Sequence, residues 1–172
     1  SGFLFSAGFT FFTTFFGIYL RNNFNFGPSK TGDYFAIVGL FIAFSQAVLV
    51  ARVSKKLSDY SVLRFSLFGN AAMMMLYFVV PTSFSFGLYL VIPFFTAFNG
   101  LTMANMTSLI SRSAEPGQQG QAMGIYSSVQ SLAQVPASIL VGYITTSVTS
   151  SQPLVVASVC IALGGLCFVF LF

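Results

Sequence analysis

The chain contains no histidine and no group of cysteine, aspartate and glutamate that converges on a metal ion. Protein-held metals need such ligands, so neither a metal nor a cofactor is expected. Cysteine is scarce as well: Cys160 and Cys167 stand seven residues apart in the last apolar segment. On one helix that spacing is about 10 Å of rise, too far for a disulfide, so both are expected as small packing or lipid-facing residues. Charge is scarce too. Only 6% of the 172 residues are charged, seven basic and three acidic, where a soluble domain carries about 25%. Ten charges cannot wet such a surface, so a bilayer is the expected solvent for most of it. The net charge of +4 is scattered through short connections and makes no stripe for nucleic acid. No catalytic constellation is present, and an enzyme is not expected.

What the chain has instead is apolar length. Hydrophobic residues make up 56% of it, in six stretches separated by turn signals. These run from about Phe3 to Leu20, Tyr34 to Ala51, Phe65 to Val80, Phe86 to Ile110, Gly120 to Thr146, and Pro153 to Phe172. The breaks between them are Arg21-Asn22-Asn23, Gly27-Pro28-Ser29-Lys30, a basic connection from Arg52 to Arg64, Pro81, and Arg112 to Gly117. The expected fold is all-α: one bundle of six transmembrane helices over residues 1–172, with no separate soluble domain. Ser1 and Phe172 both abut apolar runs, which leads us to expect a longer polypeptide. The six spans divide into two sets of three, residues 1–82 and 83–172. Three being odd, the second set enters the membrane from the opposite side, an inverted repeat of the kind common in secondary transporters.

Basic residues orient the bundle. The second and fourth connections hold Arg52, Lys55, Lys56, Arg64 and Arg112, five cations, while the others hold only Arg21 and Lys30. Positive charge stays inside, so those two connections and both chain ends are expected in the cytoplasm. Anchoring is one role for Arg52, Lys55 and Lys56 in the second connection, which also holds Asp59; latching against a partner or binding anionic lipid is another.

No Asp, Glu, Lys or Arg lies deep in any span, so the polar groups inside the membrane are amides and hydroxyls. An unpaired amide in hydrocarbon costs several kcal/mol, and each should therefore face protein or a wet cavity. The fifth span is richest. Tyr126, Gln130 and Gln134 follow i, i+4, i+8 and share one face. They serve either as helix-to-helix hydrogen bonds or as a cavity wall, and three successive polar turns favour the wall. Gly120, Gly124 and Ser128 form a neighbouring stripe of small residues suited to close helix approach, and Pro136 is expected to kink the span. Asn99 lies near mid-depth of the fourth span, beyond the break at Pro93, while Asn105 suits a backbone partner. Gln46 fits either reading. The first span carries an aromatic stripe, Phe9, Phe12, Phe16 and Tyr19, opposite Thr10, Thr13, Thr14 and Gly17, which suit close helix contact. The third and sixth spans are poor in deep amides and read as outer supports.

At this point the sequence resembles the carboxy-terminal half of a major facilitator superfamily transporter, most like the drug-efflux, proton-antiporter branch. The resemblance rests on Ser111-Arg112-Ser113-Ala114-Glu115-Pro116-Gly117-Gln118-Gln119-Gly120-Gln121-Ala122-Met123-Gly124, continuing to Ser131-Leu132-Ala133 and Pro136. A second stretch is Gln46 followed by Arg52-Val53-Ser54-Lys55-Lys56-Leu57-Ser58-Asp59. Val135, Ala47 and Ser58 stand where the family commonly has glycine. The resemblance implies helices seven to twelve of a twelve-helix protein, with the first, second, fourth and fifth helices of the half lining a central cavity. A small organic or drug-like solute would then meet Tyr126, Gln130, Gln134, Asn99, Phe12, Phe16 and Gln46. The implied partners are the lipid bilayer and an amino-terminal six-helix half, or another membrane subunit. The implied location is a multi-pass position in a bacterial inner membrane. The rival expectation is a non-transporting membrane subunit or scaffold that reuses the same fold.

Overall fold

The computed structural model describes residues 1–53, 58–81, 85–147 and 152–171. Six long helices occupy nearly all of them: α1 (Gly2–Phe24), α2 (Pro28–Phe44), α3 (Asp59–Val79), α4 (Phe86–Ser113), α5 (Gln119–Ser147) and α6 (Gln152–Leu171). α2 runs on through a π-helical segment, Ser45–Val50, into the short turn Ala51–Val53. Among the described residues, four helices are long and apolar enough to cross a membrane: α1, α2 with its π segment, α3 and α4.

Local chemistry sets the ends. α1 stops where Asn25 turns left-handed (φ 53°), a conformation asparagine tolerates, and its N–H returns to the Leu20 carbonyl. α2 begins at Pro28, whose missing N–H costs nothing in a first turn. That start precedes the apolar run by six residues, because helix and hydropathy need not begin together. α3 likewise begins at Asp59 and not at Phe65. Between α4 and α5 the chain turns at Gly117 with φ at 91°, which side chains rarely adopt.

The helices alternate in direction. α1 runs against α6: a Cβ on Gly8 would meet the Ala157 carbonyl oxygen at 2.7 Å, and one on Gly164 would meet Leu4 at 3.3 Å. α3 runs against α6, with Gly165 near Phe68 and Tyr60 stacked on Phe168 at 6.2 Å. α3 also runs against α4, where Asp59 meets Ser108 and Gly69 lies under Phe98. α3 and α6 thus form a back layer behind α1 and α4, while α5 leans on α1 and α2 leans on α4. The starts of α1, α3 and α5 gather at one end of the bundle, and those of α2, α4 and α6 at the other.

The core is aromatic. Phe12 lies 4.9 Å from Phe95 and 5.7 Å from Tyr77, and Phe16 meets Tyr77 edge-on at 5.0 Å. Three tyrosines tie four helices at the end where α2 and α4 start. Tyr34 donates to the Tyr77 hydroxyl at 3.0 Å and reaches the Leu88 carbonyl at 3.4 Å, while Tyr19 donates to the Tyr77 carbonyl at 2.8 Å. Outside, large apolar side chains lie bare: Leu40 is 72% exposed, Phe65 69% and Phe170 84%. A surface of this kind belongs in hydrocarbon. Lipid is as apolar as the core, so close packing and interhelical hydrogen bonds hold the helices together. Cys160 is half-buried and Cys167 exposed, both as free thiols.

Candidate functional site

Two helices are packed far less completely than the rest. α2 buries only Tyr34, with Ser45 following at the start of its π segment. α5 buries only Ala133 among its described side chains. α2 leans mainly on α4 and α5 mainly on α1, both leave long faces open, and both carry polar groups that the sequence singles out.

On α5, Gln130 is half-buried and its Nε2 donates to the Tyr126 hydroxyl at 3.0 Å. The Tyr126 hydroxyl in turn lies 3.5 Å from the Met106 sulfur of α4. The Tyr126 ring packs over the start of α1, where a Cβ on Gly2 would come within 2.9 Å of it. Gln134 continues the stripe one turn further and is exposed. The i, i+4 pattern therefore delivers a joined pair, Tyr126 and Gln130, with Gln134 in line.

On α2, the polar locus is the π segment. A π turn inserts an extra residue into the helical repeat and rotates the side chains beyond it, and such turns are frequent at functional sites. Ser45 is buried against Gly100 of α4, where an added Cβ would stand 3.0 Å from the Ser45 Oγ and 3.6 Å from the Gln46 Cγ. Gln46 itself is exposed. Asn99, the residue before Gly100, is 2% exposed, and its Nδ2 has no hydrogen-bond partner among the described residues. Asn99 and Met106 are seven residues apart, about 10 Å along one face of α4. The two loci meet α4 at different positions, Ser45–Gln46 at Gly100 and Tyr126–Gln130 at Met106.

Phe12 and Phe16 lie elsewhere than in a wall: at 4% and 0% exposure they are core residues. The face of α1 left open is the opposite one, with Thr13 exposed, Thr10, Thr14 and Gly17 half-buried, and nothing within 4 Å of a Cβ on Gly17. Rings gain more from dense packing than threonines do, and Thr10 and Thr13 satisfy their hydroxyls on the Ser6 and Phe9 carbonyls of their own helix. Gly120, Gly124 and Ser128 also face outward. A Cβ added to either glycine would meet nothing within 4 Å, and Ser128 bonds back to the Gly124 carbonyl at 3.0 Å. α5 continues through Pro136, which is exposed. Asn105 donates its amide nitrogen to the Leu101 carbonyl at 2.7 Å, which is not a carbonyl that Pro93 frees, and its Oδ1 has no hydrogen-bond partner among the described residues.

Asp59 is not a loop residue. It sits in the first turn of α3, 8% exposed, accepting from Ser108 at 2.8 Å and paired with Arg112 at 3.2 Å. Arg52 is exposed in the turn after the π segment, and Lys55 and Lys56 lie outside the described residues. Ser45 and Met106 are the members of the two loci that sequence reasoning passed over. No pattern marks a π turn, and a methionine reads as apolar filler.

One relative, the rat (Rattus norvegicus) hippocampus abundant transcript-like protein 1, is 25% identical over 138 residues, which cover 75% of this chain and 25% of the rat protein. The chain thus spans about a quarter of that relative's length. No solved structure matches. The Major Facilitator Superfamily matches residues 1–172, the whole chain. Together with apolar helices that need a bilayer, this match establishes a multi-pass integral membrane protein, and the chain belongs to the major facilitator superfamily.

Proposed function

We propose that the chain is the carboxy-terminal six-helix half of a secondary transporter that moves a small organic or drug-like solute by alternating access. The carrying observation is the symmetry of the packing. Exchanging residues 1–82 with 83–172 maps α1, α2 and α3 onto α4, α5 and α6. Under that exchange α1 on α6 becomes α4 on α3, and α1 on α5 becomes α4 on α2; all four contacts are extensive. α3 on α6 maps onto itself, and the slight contact of α1 with α2 maps onto the slight contact of α4 with α5. This is the contact pattern of an inverted three-helix repeat, and it supports the reading of all six helices as spans. It also leaves α2 and α5 open in matching positions.

On this reading Gln46, Tyr126, Gln130 and Gln134 face the solute, with Asn99 behind them and Phe12 and Phe16 as rigid backing. The small-residue face of α5, Gly120, Gly124 and Ser128, takes a helix of the partner half. The end bearing five of the seven cations faces the cytoplasm. The drug-efflux, proton-antiporter branch is the one that the Ser111–Pro136 stretch resembles most. With no ionisable group deep in these spans, the coupling proton would be carried by the other half.

The test uses the full-length protein in proteoliposomes with a panel of neutral and cationic amphiphiles. Gln130→Leu should cut transport at least tenfold while helix content and yield hold. Gly124→Leu should do the same by blocking the partner helix. Transport unchanged in both variants, for every compound the wild type moves, would sink the reading.

A further inference from the structure

α2 comes closest to α4 where Ser45 passes Gly100. Glycine leaves the room for this approach: a Cβ there would stand 3.0 Å from the Ser45 Oγ and 3.7 Å from the Ser45 Cβ. Ser45 is 1% exposed, and Asn99, next to Gly100, is 2% exposed. Neither the Ser45 Oγ nor the Asn99 Nδ2 has a hydrogen-bond partner among the described residues. Thr96 and Thr102, fully buried on α4, return their hydroxyls to the Ile92 and Phe98 carbonyls of their own helix. Ser45 makes no such return. A buried donor without an acceptor forfeits the hydrogen bond that water would give it. The crossing is therefore held by shape, with two polar groups working against it.

The rest of α2 lends the crossing little support. Its buried residue, Tyr34, lies eleven residues earlier, about 16 Å along the helix. Between the two points a Cβ on Gly39 would meet nothing within 4 Å, and Leu40 and Phe44 are exposed. Contact with α1 is slight. Ser45 is also the first residue of the π segment, Ser45–Val50, a wide turn that is rare in helices and concentrated at functional sites. α2 is thus secured at Tyr34, irregular from Ser45 onward, and unpartnered in its polar contacts where it meets α4.

We propose that α2 parts from α4 at the Ser45–Gly100 crossing, hinging at the π segment, and that water then reaches the Ser45 hydroxyl and the Asn99 amide. The motion is internal to these six helices and needs no second half. It stands on the packing of this chain and is independent of the transport reading.

The test uses the full-length protein in liposomes, in a cysteine-free background. N-ethylmaleimide attacks the thiolate, which forms where water reaches the sulfur. Ser45→Cys and Asn99→Cys should each react at least ten times faster than Met74→Cys, a fully buried position on α3. Ser45→Cys combined with Gly100→Cys should form a disulfide under mild oxidant, because a Cβ separation of 3.7 Å suits one. Oxidised, that pair should slow amide hydrogen exchange in the π segment at least tenfold relative to the same protein reduced. Should Gly100→Cys fail to fold, the two single labels decide. Ser45→Cys or Asn99→Cys reacting no faster than Met74→Cys overturns the proposal. So does a π segment that exchanges at one rate with the disulfide formed and with it reduced, or a folded pair that forms no disulfide.

Discussion

The Tyr34 hydroxyl donates to the Tyr77 hydroxyl across 3.0 Å, both residues being 1% exposed, and joins α2 to α3 inside the packed bundle. α2 has little else to hold it at this end, since Tyr34 is its one buried residue before the π segment. Interhelical hydrogen bonds inside membranes couple by roughly 0.6 kcal/mol on average and up to about 1.7. Tyr34 and Tyr77 should sit toward the upper part of that range because neither has water as an alternative. Tyr34→Phe and Tyr77→Phe, made singly and together, should each lower unfolding stability, and the pair should cost less than the sum by about 1 kcal/mol. A cycle that closes additively would show that the two hydroxyls act independently.

Gly8 and Gly17 are both glycines on α1, but their surroundings predict opposite signs. A Cβ on Gly8 would press at 2.7 Å on the Ala157 backbone oxygen and on Ile161, and backbone cannot step aside. Gly8→Ala should force α1 and α6 apart at a cost of about 1–3 kcal/mol. Gly17 has nothing within 4 Å, so Gly17→Ala should be neutral or stabilising by up to about 1 kcal/mol through helix propensity. Thermal unfolding in one detergent compares the two directly, and equal effects would mean that the α1–α6 crossing is looser than a 2.7 Å approach implies.

Part of this architecture was legible in the sequence. Apolar runs and turn residues located six helices, but they marked where hydrocarbon begins and not where the helix begins, so α2 and α3 start six residues earlier than their apolar runs. The Tyr126–Gln130 pair was legible because i, i+4 spacing alone puts two residues on one face. The aromatic face of α1 was not, because periodicity says which residues share a face and not which way it points. In a bilayer neither face is ruled out by hydropathy: Phe12 and Phe16 suit lipid, cavity or core equally, and only packing against Phe95 and Tyr77 decides. The π turn at Ser45 leaves no trace in residue types, so the proximity of Ser45 to Gly100 was invisible.

Asp59 and Arg112 are unequal partners, 8% and 75% exposed. The carboxylate has a second donor in Ser108 and sits in the first turn of α3, where a negative charge meets the helix dipole favourably. The arginine is largely in solvent, and an exposed charge contributes only about 0–1 kcal/mol through a pair. Asp59→Ala should therefore destabilise by more than Arg112→Gln, by a margin of about 1 kcal/mol, and raising salt should weaken the pair without abolishing the Ser108 contribution. Equal losses in chemical unfolding would mean that the ion pair alone carries the contact.

Asn70 presents the reverse situation, a polar group whose removal should help. It is fully buried on α3, and neither its Oδ1 nor its Nδ2 finds a hydrogen-bond partner among the described residues. A buried amide left unsatisfied costs about 1–3 kcal/mol, while its neighbours Leu67, Ala71 and Met74 offer an apolar setting of 0–7% exposure. Leucine has the same branched heavy-atom skeleton, though it is bulkier, and carries no desolvation penalty, so Asn70→Leu should raise the unfolding midpoint, the gain approaching about 1 kcal/mol after some repacking loss. Asn70→Ala, which removes the amide but opens a cavity, should gain less or lose. If Asn70→Leu instead lowers the midpoint by as much as Asn70→Ala, the amide has a partner that holds it, such as an internal water bridging to Asn99. The same pair of variants in the transport assay would then show whether that bridge serves stability alone.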